Sequence, residues 1–559
     1  MKSFGAYVTD ELIIRFLARE RGKYAVKNQA KQKKHPDYQC RAPLYLELCE
    51  LLPPRDQWSN PGMRRRPVHS SGNDVRAWTY GKRMGAERVF VSTVKLRREH
   101  PNAPWAQRLE AFLADIHATV EGRAEIGLGT PAVLPLFKKE DPETGDRIYR
   151  PICLYRDLRT KVLLSLTNSY ALYAFDRCFH YNMLYARSAR RDRSTGQWCC
   201  PQHTDAIRMA SEYRAKRGKE MIFVGECDIQ KFYDILHHDV IISCFRELFA
   251  QQCRRFGLEE DFFAPLERMV RAYLDSYDYY HHVMALNDPA SSVWKVEKRR
   301  CMRGGRPEPV CRFQWVSDEA FLSCYTPEAL AEAKEKGLLG IPQGGALSGI
   351  IVNVVMQSVD REIVGRRDPE RFFVRYCDDI LLMHTDKAAC QRYLDTYVHS
   401  LVGHKLVPHP LKGVSGFKQG SRTHREFWDA KSKEVFKWGT GGGDASDWVA
   451  FVGYEMRRTG EIRLRKDKVD RECKRIARVY YKAFFSKKED KERLLEGFSE
   501  VNELFFRDGV RTMDRYAISQ ARHLDKYLVR KFYRMARRFK ISVDARESLT
   551  RYIDRIGLG

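Results

Sequence analysis

The sequence predicts an α+β fold, and three stretches carry that prediction. Phe372-Phe373-Val374-Arg375-Tyr376 and Ile380-Leu381-Leu382-Met383 are apolar runs on either side of Cys377-Asp378-Asp379, the pattern of a buried hairpin with a polar tip. Met221 to Cys227 is a short apolar strand that runs into Asp228, and a helical pattern follows from Val240 to Phe249. Gly340-Ile341-Pro342-Gln343-Gly344-Gly345 is a glycine loop, after which Ser348 opens an apolar helix running to about Val364.

Each stretch admits a plain structural explanation and a chemical one. Adjacent carboxylates at a hairpin tip repel each other, and that cost calls for a compensating cation. A hard divalent ion such as Mg2+ suits one or two carboxylates plus substrate phosphates; the plain alternative is an ordinary Asp-Asp turn. Asp228, at a strand end, is placed to join Asp378 and Asp379 as a third carboxylate, or simply to cap a turn. Metal ions held by such a set activate a 3′-hydroxyl and stabilise departing pyrophosphate. Tyr233 follows closely enough to set its ring against a nucleotide sugar. The glycine loop before a helix N-terminus suits a nucleotide or a template base.

Composition narrows the class. The 559 residues suffice for three or four domains or subdomains. The formal charge is +26, from 99 Lys and Arg against 73 Asp and Glu, which points to a polyanionic partner, nucleic acid before a membrane surface. No apolar run reaches the length of a membrane span, and Met1-Lys2-Ser3-Phe4 does not open a signal peptide. The cysteines are scattered, with only Cys199 and Cys200 adjacent and no paired CxxC units, so reduced thiols in a cytoplasmic protein are expected.

The remaining elements follow in order. Residues 1–110 read as an N-terminal basic extension: a helix begins at Glu11 to Leu17, a basic run continues to Lys34, and Leu44 to Leu52 forms a short helix. Trp58 to Trp78 reads as loop, and its Arg64-Arg65-Arg66 triplet is either a solvated surface or a phosphate contact. Trp105 to Val120 is an amphipathic helix. Val133 to Lys139 and Arg147 to Ile152 form a second hairpin. Its Lys138, Lys139, Arg147 and Arg150, together with Arg156, could converge on a triphosphate or remain exposed charges. Val162 to Phe175 is an apolar helix, and Tyr185 to Arg191 a basic turn. Residues from about 270 to 335 read as an insertion. Its Tyr273, Tyr277, Tyr279, Tyr280 and His281 are core before they are a base-stacking patch, and Lys295 to Arg306 reads as loop. From Lys466 onward the chain is helical and basic.

In this order and spacing the anchors resemble the palm of a reverse transcriptase. Asp228 with Phe232-Tyr233-Asp234 resembles motif A, Pro342-Gln343-Gly344 with Ser348 motif B, and Tyr376-Cys377-Asp378-Asp379 the YxDD box. Arg150-Pro151-Ile152 through Arg156-Asp157 resembles the fingers motif, Leu406 through Lys412 motif D, and Phe451-Val452-Gly453-Tyr454 the primer grip. The resemblance implies a right-hand polymerase with fingers at 111–222, a palm at 223–460 and a helical thumb at 461–559. It also implies an RNA template, dNTP substrates and a DNA product. Asp228, Asp378 and Asp379 would be catalytic and, with the Ile229 carbonyl, hold two Mg2+ ions, Mn2+ being an alternative. Lys138, Lys139, Arg150 and Arg156 would bind the triphosphate. Tyr233 would be the gate that excludes a 2′-hydroxyl, Gln343, Gly344 and Ser348 would line the nucleotide or template, and Lys412 would protonate pyrophosphate.

Motif B departs from the family in reading Ser348-Gly349 where Ser-Pro is usual, which with Asn353 also resembles RNA-dependent RNA polymerases; Tyr233 and Cys377 favour DNA synthesis. The layout is similar to the defence-associated bacterial branch related to retron and group II intron enzymes, so anti-phage synthesis on a dedicated non-coding RNA is the expected role. A template-independent or protein-primed DNA polymerase and a non-catalytic RNA-binding scaffold stay as alternatives. Primer and oligomeric state stay open.

Overall fold

The computed structural model describes residues 1–32, 40–58, 75–141, 143–191, 198–201, 203–302, 310–365, 367–413, 422–440 and 444–465. It is a mixed helix and sheet structure. Among the described residues a one-turn helix, Phe4–Tyr7, comes first, followed by four longer ones: α1 (Asp10–Gln32), α2 (Pro43–Leu51), α3 (Val75–Glu99) and α4 (Pro104–Glu121). A hairpin follows, β1 (Ala132–Glu140) with β2 (Arg147–Leu154), then α5 (Leu158–Phe175) and α6 (His203–Arg217). Asp157 caps α5 by accepting from the Thr160 amide at 2.7 Å.

The central sheet is built next. Strand β3 (Phe223–Cys227) leads through a one-turn helix, Phe232–Ile235, to α7 (His238–Phe256) and α8 (Ala264–Asp275). Strand β4 (Cys311–Phe313) precedes α9 (Ser348–Val364), and the hairpin β5 (Phe372–Tyr376) and β6 (Asp379–His384) leads into α10 (Lys387–Gly403). Then come β7 (Leu411–Lys412), β8 (Ser432–Trp438) and β9 (Ala445–Ser446). A final small sheet joins β10 (Trp448–Phe451), β11 (Tyr454–Arg457) and β12 (Ile462–Leu464). The central order is β9-β8-β3-β6-β5, with β7 also on β8; successive pairs from β8 through β3 and β6 to β5 are antiparallel, while β9 and β7 pair with β8 in parallel.

Both faces of this sheet are covered, which is why its strands read as near-continuous apolar runs. Alternation sends Cys227, Phe373, Ile380 and Leu382 toward a core shared with α7, α9 and α10. Val224, Val374, Leu381, Met383, Phe436 and Trp438 face the other way, onto Ile207 and Ala210 of α6 and onto Val449 and Met456. Gly225 lets α10 come close, since a Cβ there would lie 3.3 Å from a Leu394 methyl.

Several expectations are corrected or extended. The first 110 residues share the main core: Ile13, Leu17, Leu48, Val89 and Leu109 join it with Leu163 and Tyr170, and the Phe4 ring stacks on Tyr170 at 4.8 Å. From Val75 the segment expected to be loop is helix α3, and the Arg64-Arg65-Arg66 triplet lies outside the described residues. The stretch read as an insertion buttresses the β1–β2 hairpin, because β4 pairs in parallel with β2 and Trp294 packs on Tyr149. Lys295–Met302 within it is a helix, not a loop. Tyr273, Tyr277 and Tyr279 are fully buried and unable to stack on bases. The basic C-terminal helices expected beyond residue 465 lie outside the described residues. Among the described residues no helix is long and apolar enough to cross a membrane.

Candidate active site

The polar tip is held by a buried clamp. Cys377 takes a left-handed backbone, φ 62°, which closes the β5–β6 turn where Tyr376 pairs with Asp379. Arg375 donates to the Cys377 carbonyl at 2.9 Å and grips Asp360 of α9 through Nε, at 3.0 and 2.9 Å, and Nη2, at 2.7 Å. Both side chains are fully buried. The strand that carries the acidic pair is therefore tied to the helix behind it.

Three carboxylates meet at this tip. The β3–β6 register pairs Cys227 with Ile380 and so leads Asp228 toward Asp379. Burial and the Asp228 charge push the Asp378 carboxyl up, and burial, Asp378 and Asp228 push Asp379 up. Lys431 sets its ammonium 2.9 Å from Asp228 Oδ2. Behind it Lys433 pairs with Glu226, so alternate residues beside and on β8 neutralise alternate residues beside and on β3. The Asp228 amide donates to Ser432 Oγ at 2.9 Å, and the His409 amide donates to the Asp228 carbonyl at 2.9 Å. The paired bonds Gln230 to Val407 and His409 to Asp228 flank Ile229, which bridges to Pro408.

The donor set suits a hard divalent cation: all-oxygen, acidic, partly buried and short of positive charge except for one ammonium. Among the described residues no three such groups already stand at ligating distance, and Lys431 occupies the cationic position. A cation entering here would take Asp228, Asp378 and Asp379 as ligands and displace or share with Lys431.

A cationic rim borders the carboxylates. Lys231, in a left-handed conformation, has its amine pushed down to about 8 by burial and by Lys138 and Arg150, with Asp234 opposing. Partial burial and Arg150 hold the Lys138 amine down, with smaller effects from Lys431 and Lys139. Asp234 is fully buried, its carboxyl pushed up to about 6 by burial. Gln343 donates to it through Nε2 at 2.6 Å, tying the glycine loop to the segment after β3. Gly344 takes φ 90°, and the Cys153 amide of β2 donates to the Gln343 carbonyl at 2.8 Å, so loop and hairpin are joined.

Residues 314–419, which contain the glycine loop, α9 and the acidic tip, match the family described as reverse transcriptase (RNA-dependent DNA polymerase). The chain carries a reverse transcriptase domain. By that domain it is an RNA-directed DNA polymerase, a nucleotidyltransferase with a polymerase fold. No curated protein matches it. Solved structures similar to it include apo telomerase from Candida tropicalis, with 12% identity over 85% of this chain and 77% of that chain and a TM-score of 0.33. Telomerase from Candida albicans, in complex with a TWJ fragment of telomeric RNA, has 14% identity over 91% and 80% and a TM-score of 0.29.

Within this reverse transcriptase domain and its surroundings, the site residues expected from sequence fall into two groups. Asp228, Asp378, Asp379, Tyr233, Lys138, Lys139, Arg150, Gln343 and Gly344 gather around the tip and its rim. Ser348 and Lys412 do not. Ser348 is buried, with its hydroxyl donating to the Pro342 carbonyl at 2.5 Å and lying 2.9 Å from the Tyr273 hydroxyl, so it shapes the loop and does not face a substrate. It is also the first residue of α9 and not its cap, a position held by Leu347. Lys412 is exposed and pairs with Glu426 at 3.5 Å; the lysine on Asp228 is Lys431. Arg156 is exposed beyond the end of β2.

Sequence reasoning passed over Asp234, Lys231 and Lys431. Asp234 stood in the quoted Phe232-Tyr233-Asp234 run without a role. The Lys431-Ser432-Lys433 alternation, matching Glu226-Cys227-Asp228, was the available signal for Lys431.

Proposed function

We propose that the chain copies RNA into DNA at the Asp228, Asp378 and Asp379 cluster, transferring a nucleotidyl group from a dNTP to a 3′-hydroxyl and releasing pyrophosphate. The observation that carries this is the convergence of three mutually repelling carboxylates beside a rim of Lys138, Lys139, Arg150 and Lys231, within and next to the matched domain. Divalent ions bound there, two Mg2+ with Mn2+ as a substitute, would lower the pKa of the attacking hydroxyl and neutralise charge on the leaving oxygen. The rim cations bind the triphosphate and orient its α-phosphorus toward the tip. Gln343, fixed by Asp234, holds the glycine loop as one wall of the nucleotide position, with Gly344 leaving room for a base. The Tyr233 ring stands where a ribose 2′-hydroxyl would project and so selects deoxynucleotides. Residues 111–222 would serve as fingers, 223–460 as palm and 461–559 as thumb.

The net charge of +26 supports extended contact with nucleic acid. On the layout of the sequence we assign the template to a dedicated non-coding RNA and the role to anti-phage defence in the cytoplasm. Purification of the full chain with its bound nucleic acid, followed by Mg2+ and labelled dNTPs or NTPs and sequencing of the product, tests this. DNA complementary to a co-purified RNA is the expected result. DNA matching no RNA would replace templated by template-independent synthesis, and no product from either nucleotide set would favour a scaffold.

A further inference from the structure

The hydroxyl of Tyr233 is not free. It donates to the Tyr185 hydroxyl at 3.1 Å and lies 3.3 Å from Cys377 Sγ. Three separate segments therefore meet at one phenol: the turn after α5, the segment after β3 and the hairpin tip. The Tyr185 ring also sits edge-on to Tyr376 at 5.5 Å.

Tyr185 is itself held firmly. Asn353 of α9, fully buried, donates through Nδ2 to the Tyr185 carbonyl at 2.7 Å and to the Ala186 carbonyl at 3.3 Å. Ala186 takes φ 47°, an uncommon conformation for a residue with a Cβ. Arg187, buried, donates to the Asp176 carboxylate at 2.8 Å and to the His180 and Met183 carbonyls, each at 2.8 Å. The turn comes so near α9 that a Cβ on Gly349 would lie 2.7 Å from the Ala186 Cβ. That contact gives the Ser348-Gly349 sequence a physical reason: a larger residue at 349 would lift the turn, and Tyr185 with it, off Tyr233.

A ring acts as a steric filter only as well as its position is fixed. Tyr233 has two side-chain torsions, and a bond at its far end restrains both. We infer that Tyr185 is a positioning residue for sugar selection: it fixes the Tyr233 ring through its hydroxyl, with Cys377 as the second anchor and Gly349 and Asn353 holding Tyr185 in place. This rests on Tyr233 acting as the gate proposed above.

The test is single-nucleotide incorporation by the full chain on a primed RNA template, with kcat/KM measured for a dNTP and for the matching rNTP. Tyr185→Phe removes one oxygen and keeps the ring. It is expected to raise the rNTP/dNTP ratio of kcat/KM about two- to tenfold, the span of one net hydrogen bond, chiefly by lowering KM for the rNTP. Gly349→Ala should move the ratio in the same direction. Tyr233→Ala separates the two layers of the inference. If it opens the site to rNTPs while Tyr185→Phe and Gly349→Ala leave the ratio unchanged, the gate stands and the positioning role of Tyr185 is refuted. Equal losses for both nucleotides in Tyr185→Phe would also refute it, as a purely structural effect. If Tyr233→Ala leaves the ratio unchanged, the gate itself fails and the role of Tyr185 falls with it.

Discussion

Replacing Asp360 by Asn isolates the charge that holds the acidic tip. The change keeps shape and a hydrogen-bond acceptor but leaves the Arg375 guanidinium without its counter-ion at a position with no solvent access. Three charge-assisted contacts between 2.7 and 3.0 Å are weakened or lost. Stranding one member of a buried pair costs about 3–5 kcal/mol. Removing both members with Arg375→Met and Asp360→Leu strands no charge. It forfeits the bond to the Cys377 carbonyl and two long ones, 3.4 Å each, to Asn353 Oδ1, and the buried carbonyl left unsatisfied costs about 1–3 kcal/mol. The double variant should thus be more stable than Asp360→Asn. Urea unfolding of the full chain, followed by tryptophan fluorescence, gives both values. A loss under about 1 kcal/mol for Asp360→Asn, or a double variant less stable than the single one, would refute the clamp.

Further perturbations separate the other parts of the site. Asp234 has its carboxyl raised in the folded chain, so its stabilising contribution is present below about pH 4 and lost as pH rises through about 6. Thermal midpoints from pH 4 to 7 should show that decline, and Asp234→Asn should remove about 3 kcal/mol of it; an unchanged profile in the variant would contradict the assignment. Lys431 competes with a divalent ion for Asp228, but its side chain is 65% exposed. Lys431→Ala should therefore tighten calorimetric Mg2+ affinity only about two- to fivefold, and weaker binding would show that it assists the ion. Lys412 lies paired with Glu426, so Lys412→Ala should change kcat less than about threefold, whereas Lys138→Ala with Arg150→Ala should raise KM for dNTPs at least about tenfold. Steady-state extension kinetics decide between these outcomes.

The acidic tip, the strand into Asp228 and the helix from Ser348 were legible because each rests on local pattern: apolar runs, a polar pair, glycines before a helix. Lys431 was not, because its significance depends on which strand β8 joins, a pairing across some 200 residues of sequence. Ser348 shows the converse. A serine before an apolar helix looks like a cap or a substrate contact, yet Tyr273, from the stretch read as an insertion, takes its hydroxyl. The β4 strand was missed because three residues, Cys311–Phe313, are too few to show a period. The helices from Asp10, Pro43 and Pro104 were visible as helices and the one from Val75 was not, and nothing local revealed that Phe4 and Leu17 join the main core.

Primer extension on a defined RNA template tests the central claim most directly, with the full chain, Mg2+ and dNTPs, beside Asp228→Asn and Asp378→Asn. The account predicts complementary DNA from the unaltered chain and losses of at least about a thousandfold in both variants. Extension that persists in either variant, or product built from ribonucleotides in preference to deoxynucleotides, would contradict it.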